Sequence, residues 1–557
     1  MLHKTGDEPL HRLLYGLNFL AILLCFSGLF VPLMDPDAGV YASISRSMAE
    51  RNDFVNLYFQ ENDWLDKPHF PFWVTAFFFK IFGYQDWAYK LPGILFVLMG
   101  ARYTYLFAHR YYNKTTALWS VFILLTALHI IISNNDVRAE PFLTGLIIAS
   151  VYHFARSGEE KWFLQLLAAS FFAGCAVMTK GVFTLIPIGG AVAGQLILTR
   201  NWPQLFHWKW ILAILLTAIF TGPELYCLWQ QFDLHPEKKV LGSTNVSGIR
   251  FFLWDSQFGR FFNTGPIKGK GDKLFFLHTL LWAFLPWSLL MYGALFSRIR
   301  NGFHQTVRLQ KEWWMLSSAL LTLVLFSFSG FQLPHYTNII FPMLAILSAA
   351  FITEQAGKGK KGWGKVQSVL TVLLPVLVTG LLFFYRPAVN PLFIVLFSGA
   401  LACLFFLHRF TTTDRIWLPY LRSGITVLAV AVFLNLAFYP DLLRYQSGNR
   451  VAAYMNRQLP GEPLGRLGIY FPSGEFYLRQ PAYGSTVEDL AAGRFSKARY
   501  LFITEEEKSQ LDLAAVKTET VMAFEEFHVT MLTLKFINPA TRHRELKKNM
   551  LVRLVPH

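Results

Sequence analysis

Long apolar runs, parted by short polar breaks, dominate the first 440 or so residues of the 557-residue chain. A run must be about 20 residues long to cross roughly 30 Å of hydrocarbon. About thirteen reach that length, near 12–34, 87–108, 115–133, 138–156, 161–180, 182–199, 208–230, 274–297, 313–331, 335–353, 366–385, 390–408 and 423–440. The breaks alternate in charge. One set is short and basic: Arg110/Lys114, Arg156/Lys161, Arg200/Lys209, Arg298/Arg300/Arg308/Lys311, Lys358/Lys360/Lys361/Lys365 and Arg409/Arg415/Arg422. The positive-inside rule makes this set, and the N-terminus, cytoplasmic. The other set (35–86, 133–137, around 180, 231–273, 331–336, 386–389 and everything after 441) is expected outside. An odd number of crossings carries the C-terminal region outside as well. The stretch 10–34 is too long for a cleavable signal peptide and lacks an A-x-A site, so it is expected to remain as a span.

The first outer segment has a pattern of its own. Val40, Tyr41, Ile44 and Met48 share one helical face, which predicts an amphipathic helix over 38–51 lying along the interface. A second is predicted over 67–83, where Pro68 and Pro71 suit the first turns. After about residue 445 charges become frequent. Strand-like runs at 466–471, 475–478, 499–503 and 529–536 alternate with helical stretches at 449–457 and 487–495, before a basic tail at 542–553. The expected fold class is an all-α polytopic membrane protein with a small soluble C-terminal α/β domain. Its parts are a transmembrane domain over 1–444, with extracytoplasmic loops 35–86 and 231–273, and an extracytoplasmic domain over 445–557.

Composition agrees. Hydrophobic residues make up 54% of the chain, aromatics 17% and charged residues only 15%, where a soluble domain carries about 25%. That excludes both a soluble globular protein and a disordered one. The net charge of +16 has two sources here, cytoplasmic Lys/Arg loops and an anionic ligand or lipid headgroup, and no nucleic acid is expected as a partner. Four scattered cysteines form neither a disulfide frame nor a metal spacing.

Ionisable groups near membrane depth cost several kcal/mol unless they have a partner or a task. In this chain they collect at the outer ends of the spans. Asp37, in LMDPDAGVYASISRSM, either caps the helix that follows or serves as a general base. Lys67, in LDKPHFPFW, follows Asp66 and is either half of a surface ion pair or a point charge for phosphate. Arg138 and Glu140, in NNDVRAEPFLTG, open a span, where a carboxylate also suits the helix dipole. Lys180, in VMTKGVF, is either a snorkelling side chain or a headgroup ligand. The loop 231–273 is unusually basic for an outer loop and contains Arg260. At a Pro-marked break, His335 is either structural or a metal ligand, and Tyr336 is either an interfacial anchor or a donor to a phosphate oxygen. Acids and bases gathered on one side of a bilayer suit group transfer from a membrane-anchored phosphate donor: the cations hold the leaving phosphate and a carboxylate handles the acceptor hydroxyl.

At these positions the chain resembles the GT-C membrane glycosyltransferases, above all the branch of dolichyl-phosphate-mannose–protein mannosyltransferases and the aminoarabinose transferase that modifies lipid A. The family's D-x-x-x-Y-x-x-I stands here as Asp37, Tyr41 and Ile44, and its [ED]-K-P-x-x-x-x-W as Asp66, Lys67, Pro68 and Trp73. Its acid before Pro is Glu140–Pro141, its T-K-G is Thr179–Lys180–Gly181, and its F-x-R-F is Phe258 to Phe261 around Arg260. Its L-P-x-Y-x-x-x-x-x-P is Leu333, Pro334, Tyr336 and Pro342. The order holds over roughly 15–345. The resemblance implies a catalytic carboxylate at Asp37 and a second acid at Glu140. Lys67, Lys180, Arg260 and Tyr336 would bind the polyprenyl phosphate, supported by Tyr41, Asp66, Arg138 and His335. The implied reaction is an inverting displacement at the anomeric carbon with lipid monophosphate leaving. The implied partners are a polyprenyl-phosphate-linked sugar donor, a lipid (lipid A), protein or glycan acceptor, and membrane lipids.

Two departures stand out. Relatives usually carry Asp where Glu140 stands. Some aminoarabinose transferases place a metal-binding His three residues before the loop Arg, where this chain has Gln257, so no bound zinc and no cofactor are expected. Two other readings stay open: a flippase or transporter for lipid-linked sugars, and a ligase or polymerase acting on lipid-diphosphate glycans.

Overall fold

The computed structural model describes residues 8–555 apart from 61, 160, 266–267, 305–311, 411–412 and the side chains at 408 and 410. Arg308 and Lys311 of the basic loops, and two positions of the loop 231–273, lie outside the described residues. The first half runs α1 (Glu8–Phe26), α2 (Asp37–Arg51), β1 (Tyr58–Phe59), β2 (Asn62–Asp63), α3 (Phe70–Phe82), α4 (Asp86–Tyr111), α5 (Lys114–Leu125), α6 (Leu128–Asn135), α7 (Ala139–Arg156), α8 (Trp162–Lys180), α9 (Leu185–Leu198), α10 (Trp202–Leu205) and α11 (Lys209–Leu228). The multi-pass helical class is as expected. By length and composition, however, seven helices among the described residues can cross a membrane, or eight with α5 and α6 counted as one span bent by 50°.

The gap from the expected thirteen comes from broken and shortened helices. The run 12–34 stops being helical at Phe26, and the freed carbonyls of Gly28 and Val31 accept hydrogen bonds from Lys90 Nζ of α4 (3.1 and 2.5 Å). The run 274–297 breaks at Leu285–Pro286 into helices Phe275–Ala283 and Ser288–Gly302, as a proline that removes a donor dictates. Apolar helices shorter than a full crossing occupy Val182–Leu198, Trp314–Ser327 and Pro391–Leu407. α7 is buried on nearly every side, as a helix apolar all round should be.

Three of the basic breaks find acidic partners: Arg110 and Arg156 pair with Glu159, and Arg298 and Tyr112 both reach Glu312. The helix predicted over 38–51 is α2, with Val40, Tyr41, Ile44 and Met48 buried. It does not lie open on an interface. Ala38, Gly39, Ala42, Ser45 and Ala49 are buried too, because α3 and a C-terminal helix cover it. α3 is shorter than its predicted 67–83 and exposes Phe77, Ile81 and Phe82.

The C-terminal region holds a five-stranded sheet, β3 (Leu464–Arg466), β4 (Ala482–Gly484), β5 (Tyr500–Thr504), β6 (Thr518–Glu526) and β7 (Lys547–Leu554), in the order β4-β3-β5-β7-β6. β3 pairs in parallel with β4 and β5, and β7 pairs antiparallel with β5 and β6. Four expectations are corrected. The run 466–471 is strand only at Arg466, the last residue of β3. The run 475–478 belongs to a helix, Pro472–Tyr477, with Pro in its first turn and Glu475 near its positive end. The run 529–536 forms no strand and leads into the Thr533-capped helix Leu534–Ile537. The basic tail is β7, an interior strand whose Leu551 and Val552 are buried. The predicted helix at 449–457 is Ser447–Gln458, and that at 487–495 ends early, at Ala491.

Candidate active site

α2 begins at Asp37, and its carboxylate does not cap the helix. It meets the guanidinium of Arg138 at 2.5 Å and remains 45% exposed. Arg138, at the N-cap position of α7, also grips Asp136 at 2.6 Å. Burial pushes the Asp37 carboxyl above its ordinary range; Arg138 and Lys67 pull it back in part, while Asp136 and Glu140 push it further up. These four groups therefore lie within electrostatic reach of Asp37. Tyr41, one turn along α2, is buried edge-on to Phe72 at 5.3 Å and feels the charges of Asp37, Glu140 and Asp66.

In the first turn of α7, Glu140 is buried and forms an ion pair with Lys180, the last residue of α8. His335 Nε2 stands 3.8 Å from the same carboxylate. The Lys180 ammonium lies 3.8 Å over the Tyr336 ring, a cation–π contact that fixes both side chains. Gly181 makes this placement possible. It ends α8 at φ 95°, and a side chain there would strike the Gln257 amide, which donates to the Lys180 carbonyl at 3.1 Å. So Gln257 positions Lys180. Among the described residues no three His, Cys, Asp or Glu side chains converge as metal ligands.

Asp66 is the third anchor. Its carboxylate pairs with both Lys67 and Arg260. Burial opposes its ionisation, but the two cations outweigh that and hold the carboxyl at about 2. Arg260 follows the π-helical stretch Phe251–Gly259 and lies 5.8 Å from the Phe331 ring, its buried Nε–H without a hydrogen-bond partner among the described residues. Lys180, Gln257, Arg260 and Tyr336 line a recess of about 80 Å³ whose other walls include Phe183, Phe276, Phe326 and Phe331. A polar notch joins Asp66, Lys67, Lys180 and Arg260 behind it. Cations with an aromatic, water-poor wall suit the phosphate of a lipid.

The contacts gather these residues into groups: Asp37 with Arg138, Glu140 with Lys180, His335 and Tyr336, and Asp66 with Lys67 and Arg260; Lys180, Tyr336 and Arg260 share the recess, and Asp37 feels the charges of Lys67 and Glu140. Three partners were not read in advance. Asp136 steadies Arg138. His69 and Glu224, both fully buried, pair at 3.0 Å, and the His69 N–H donates to the same carboxylate at 2.9 Å, which ties the K-P-H segment to α11. A lone acid inside the apolar run 208–230 was the available signal for Glu224.

Residues 66–226 match the family described as dolichyl-phosphate-mannose-protein mannosyltransferase. The structure superposes on the crystal structure of ArnT from Cupriavidus metallidurans bound to undecaprenyl phosphate with a TM-score of 0.72 at 19% identity, over 98% of this chain and 99% of that one. The fold is that of this crystal structure. It extends to the apo oligosaccharyltransferase of Archaeoglobus fulgidus, with a TM-score of 0.51 at 10% identity over 92% of this chain and 72% of that one. In sequence, an undecaprenyl phosphate-alpha-4-amino-4-deoxy-L-arabinose arabinosyl transferase of Edwardsiella ictaluri is 27% identical over 370 residues, 62% of this chain. The match spans 63% of that relative's length.

Proposed function

We propose that this chain is an integral-membrane glycosyltransferase. It moves a sugar from a polyprenyl-phosphate donor to a lipid, protein or glycan acceptor outside the cytoplasm. The observation that carries the proposal is a recess with Lys180, Arg260 and Tyr336 on its walls, together with a half-exposed carboxylate, Asp37, that feels the charges of Lys67 and Glu140. The match to a polyprenyl-phosphate-sugar transferase supports an undecaprenyl-phosphate donor.

In the proposed reaction the donor phosphate lies against Lys67, Lys180 and Arg260, with the Tyr336 hydroxyl as a further donor. Asp37 orients the acceptor nucleophile and takes its proton as the nucleophile attacks the anomeric carbon. The carbon–oxygen bond to phosphate breaks, its electron pair leaves with the polyprenyl monophosphate, and the anomeric configuration inverts. Glu140 holds Lys180 in place and is the second acid; Tyr41, Asp66, Arg138 and His335 support the set. The ion pairs already formed by Lys67, Lys180 and Arg260 pre-organise these cations before the phosphate arrives.

The proposed topology has about thirteen crossings in residues 1–444, in which broken pairs and shorter helices serve as spans. The N-terminus is cytoplasmic, and the site and the unit 445–557 lie outside. Mass spectrometry of envelope glycolipids and glycoproteins, with and without this protein, tests the function. A sugar-bearing product that vanishes with the protein supports it. Lipid-linked sugar that crosses the membrane with no covalent product, or release of lipid diphosphate, contradicts it.

A further inference from the structure

The helix Pro472–Tyr477 sits against α2 at the end that carries Asp37. Ser473, fully buried, donates from its N–H to Asp35 Oδ1 (2.8 Å) and from its hydroxyl to Asp35 Oδ2 (2.7 Å). Gln446 accepts from the Asp35 N–H at 2.9 Å and donates to the Leu33 carbonyl at 3.0 Å. Further along α2, Ser43 donates to the Pro472 carbonyl, and Arg46 donates to the carbonyls of Phe476 and Leu478. Tyr477 accepts from the Leu33 N–H at 2.7 Å and donates to Asp86. The backbones approach so closely because residue 39 is Gly: a Cβ there would lie 2.4 Å from the Ser473 nitrogen and 2.9 Å from the Pro472 carbonyl carbon.

Asp37 thus lies between two gripped positions. Asp35, two residues before it, is held by Ser473, and Gly39, two residues after it, is pressed on Pro472 and Ser473. On its free side it meets Arg138. Gln446 and Tyr477 hold the backbone of the same non-helical turn at residues 33 and 35, and that turn sets where α2 begins.

We propose that the helix Pro472–Tyr477 is a positioning element for the transfer reaction, seating Asp37 through Ser473 and Gly39. The C-terminal region then contributes to the chemical step without touching the reacting atoms. This rests on the role given to Asp37 above.

The test uses full-length protein in nanodiscs with an undecaprenyl-phosphate sugar donor, comparing Ser473→Ala, Gly39→Ala and the exposed Ser509→Ala on a distant helix. The first two are expected to lower kcat tenfold or more with donor KM within twofold of wild type, and to speed amide exchange in residues 37–48. Ser509→Ala is expected to match wild type. Undiminished kcat in a folded Ser473→Ala chain overturns the inference, as does a rise in donor KM that accounts for the whole loss. If Gly39→Ala does not fold, Ser473→Ala decides alone. A wild-type chain that transfers no sugar sinks the glycosyltransferase reading itself, and exchange in α2 still reports whether the grip exists.

Discussion

Asp66 is the anchor on which Lys67 and Arg260 both depend, and Asp66→Asn removes its charge at nearly constant shape. Held at about 2 against the ordinary 3.8, the carboxyl favours the folded chain by about 2 kcal/mol at neutral pH, at roughly 1.4 kcal/mol per pH unit. The side chain is 21% exposed, so solvent screens this little. Because the folded pKa lies below the unfolded one, the stabilisation is complete above about pH 4 and disappears as pH falls toward 2. Thermal melting in nanodiscs between pH 3 and 7 reads it. Asp66→Asn should melt below wild type at pH 7, and the gap should close on the acid side. Undecaprenyl phosphate should stabilise Asp66→Asn more than wild type, because its phosphate takes over two cations left without their partner. Equal melting at pH 7, or a gap that widens with acid, refutes the view of Asp66 as the anchor of the cradle.

Other outcomes follow from the same geometry. Lys180→Ala and Arg260→Ala should each weaken undecaprenyl-phosphate binding at least tenfold, read by a lipid-binding titration, since each removes a charge-assisted contact of about 1.5–3 kcal/mol. The rate should fall on the acid side at a pH above the ordinary carboxylate value, because burial raises Asp37; Arg138→Gln should move that limb to still higher pH by removing the cation that counters burial. His69→Ala should lower the melting temperature, because buried Glu224 loses the ring N–H it faces at 3.0 Å; an unchanged melt would show that this pair is dispensable.

Much of the candidate site was legible in the sequence because charges stranded in apolar surroundings announce themselves. Asp37, Glu140, Lys180 and Tyr336 were each visible as a polar break at a span end, while Lys67 and Arg260 stood out within the outer loops through their family-like motifs. Their pairings were not. Nothing in the chain says that Asp66 meets Arg260, 194 residues away, or that Lys180 takes Glu140 rather than a loop acid. Helix continuity was also misread where a buried partner rescues a broken backbone, as Lys90 does beyond Phe26. In the C-terminal region short strand-like runs misled, since 475–478 follows a proline that starts a helix. β7 looked like a charged tail because its polar residues flank only two fully buried ones. The grip of Ser473 on Asp35 lies 438 residues apart in the chain and left no local signal.

The central claim is that Asp37 acts on an acceptor beside a bound lipid phosphate. Its most direct measurement is release of undecaprenyl monophosphate against sugar transferred, in proteoliposomes holding wild type or Asp37→Asn. One monophosphate per sugar is expected in wild type. In the variant, transfer is expected to fall at least a thousandfold, with donor binding kept within a few fold. Turnover by Asp37→Asn at the wild-type rate would contradict that claim.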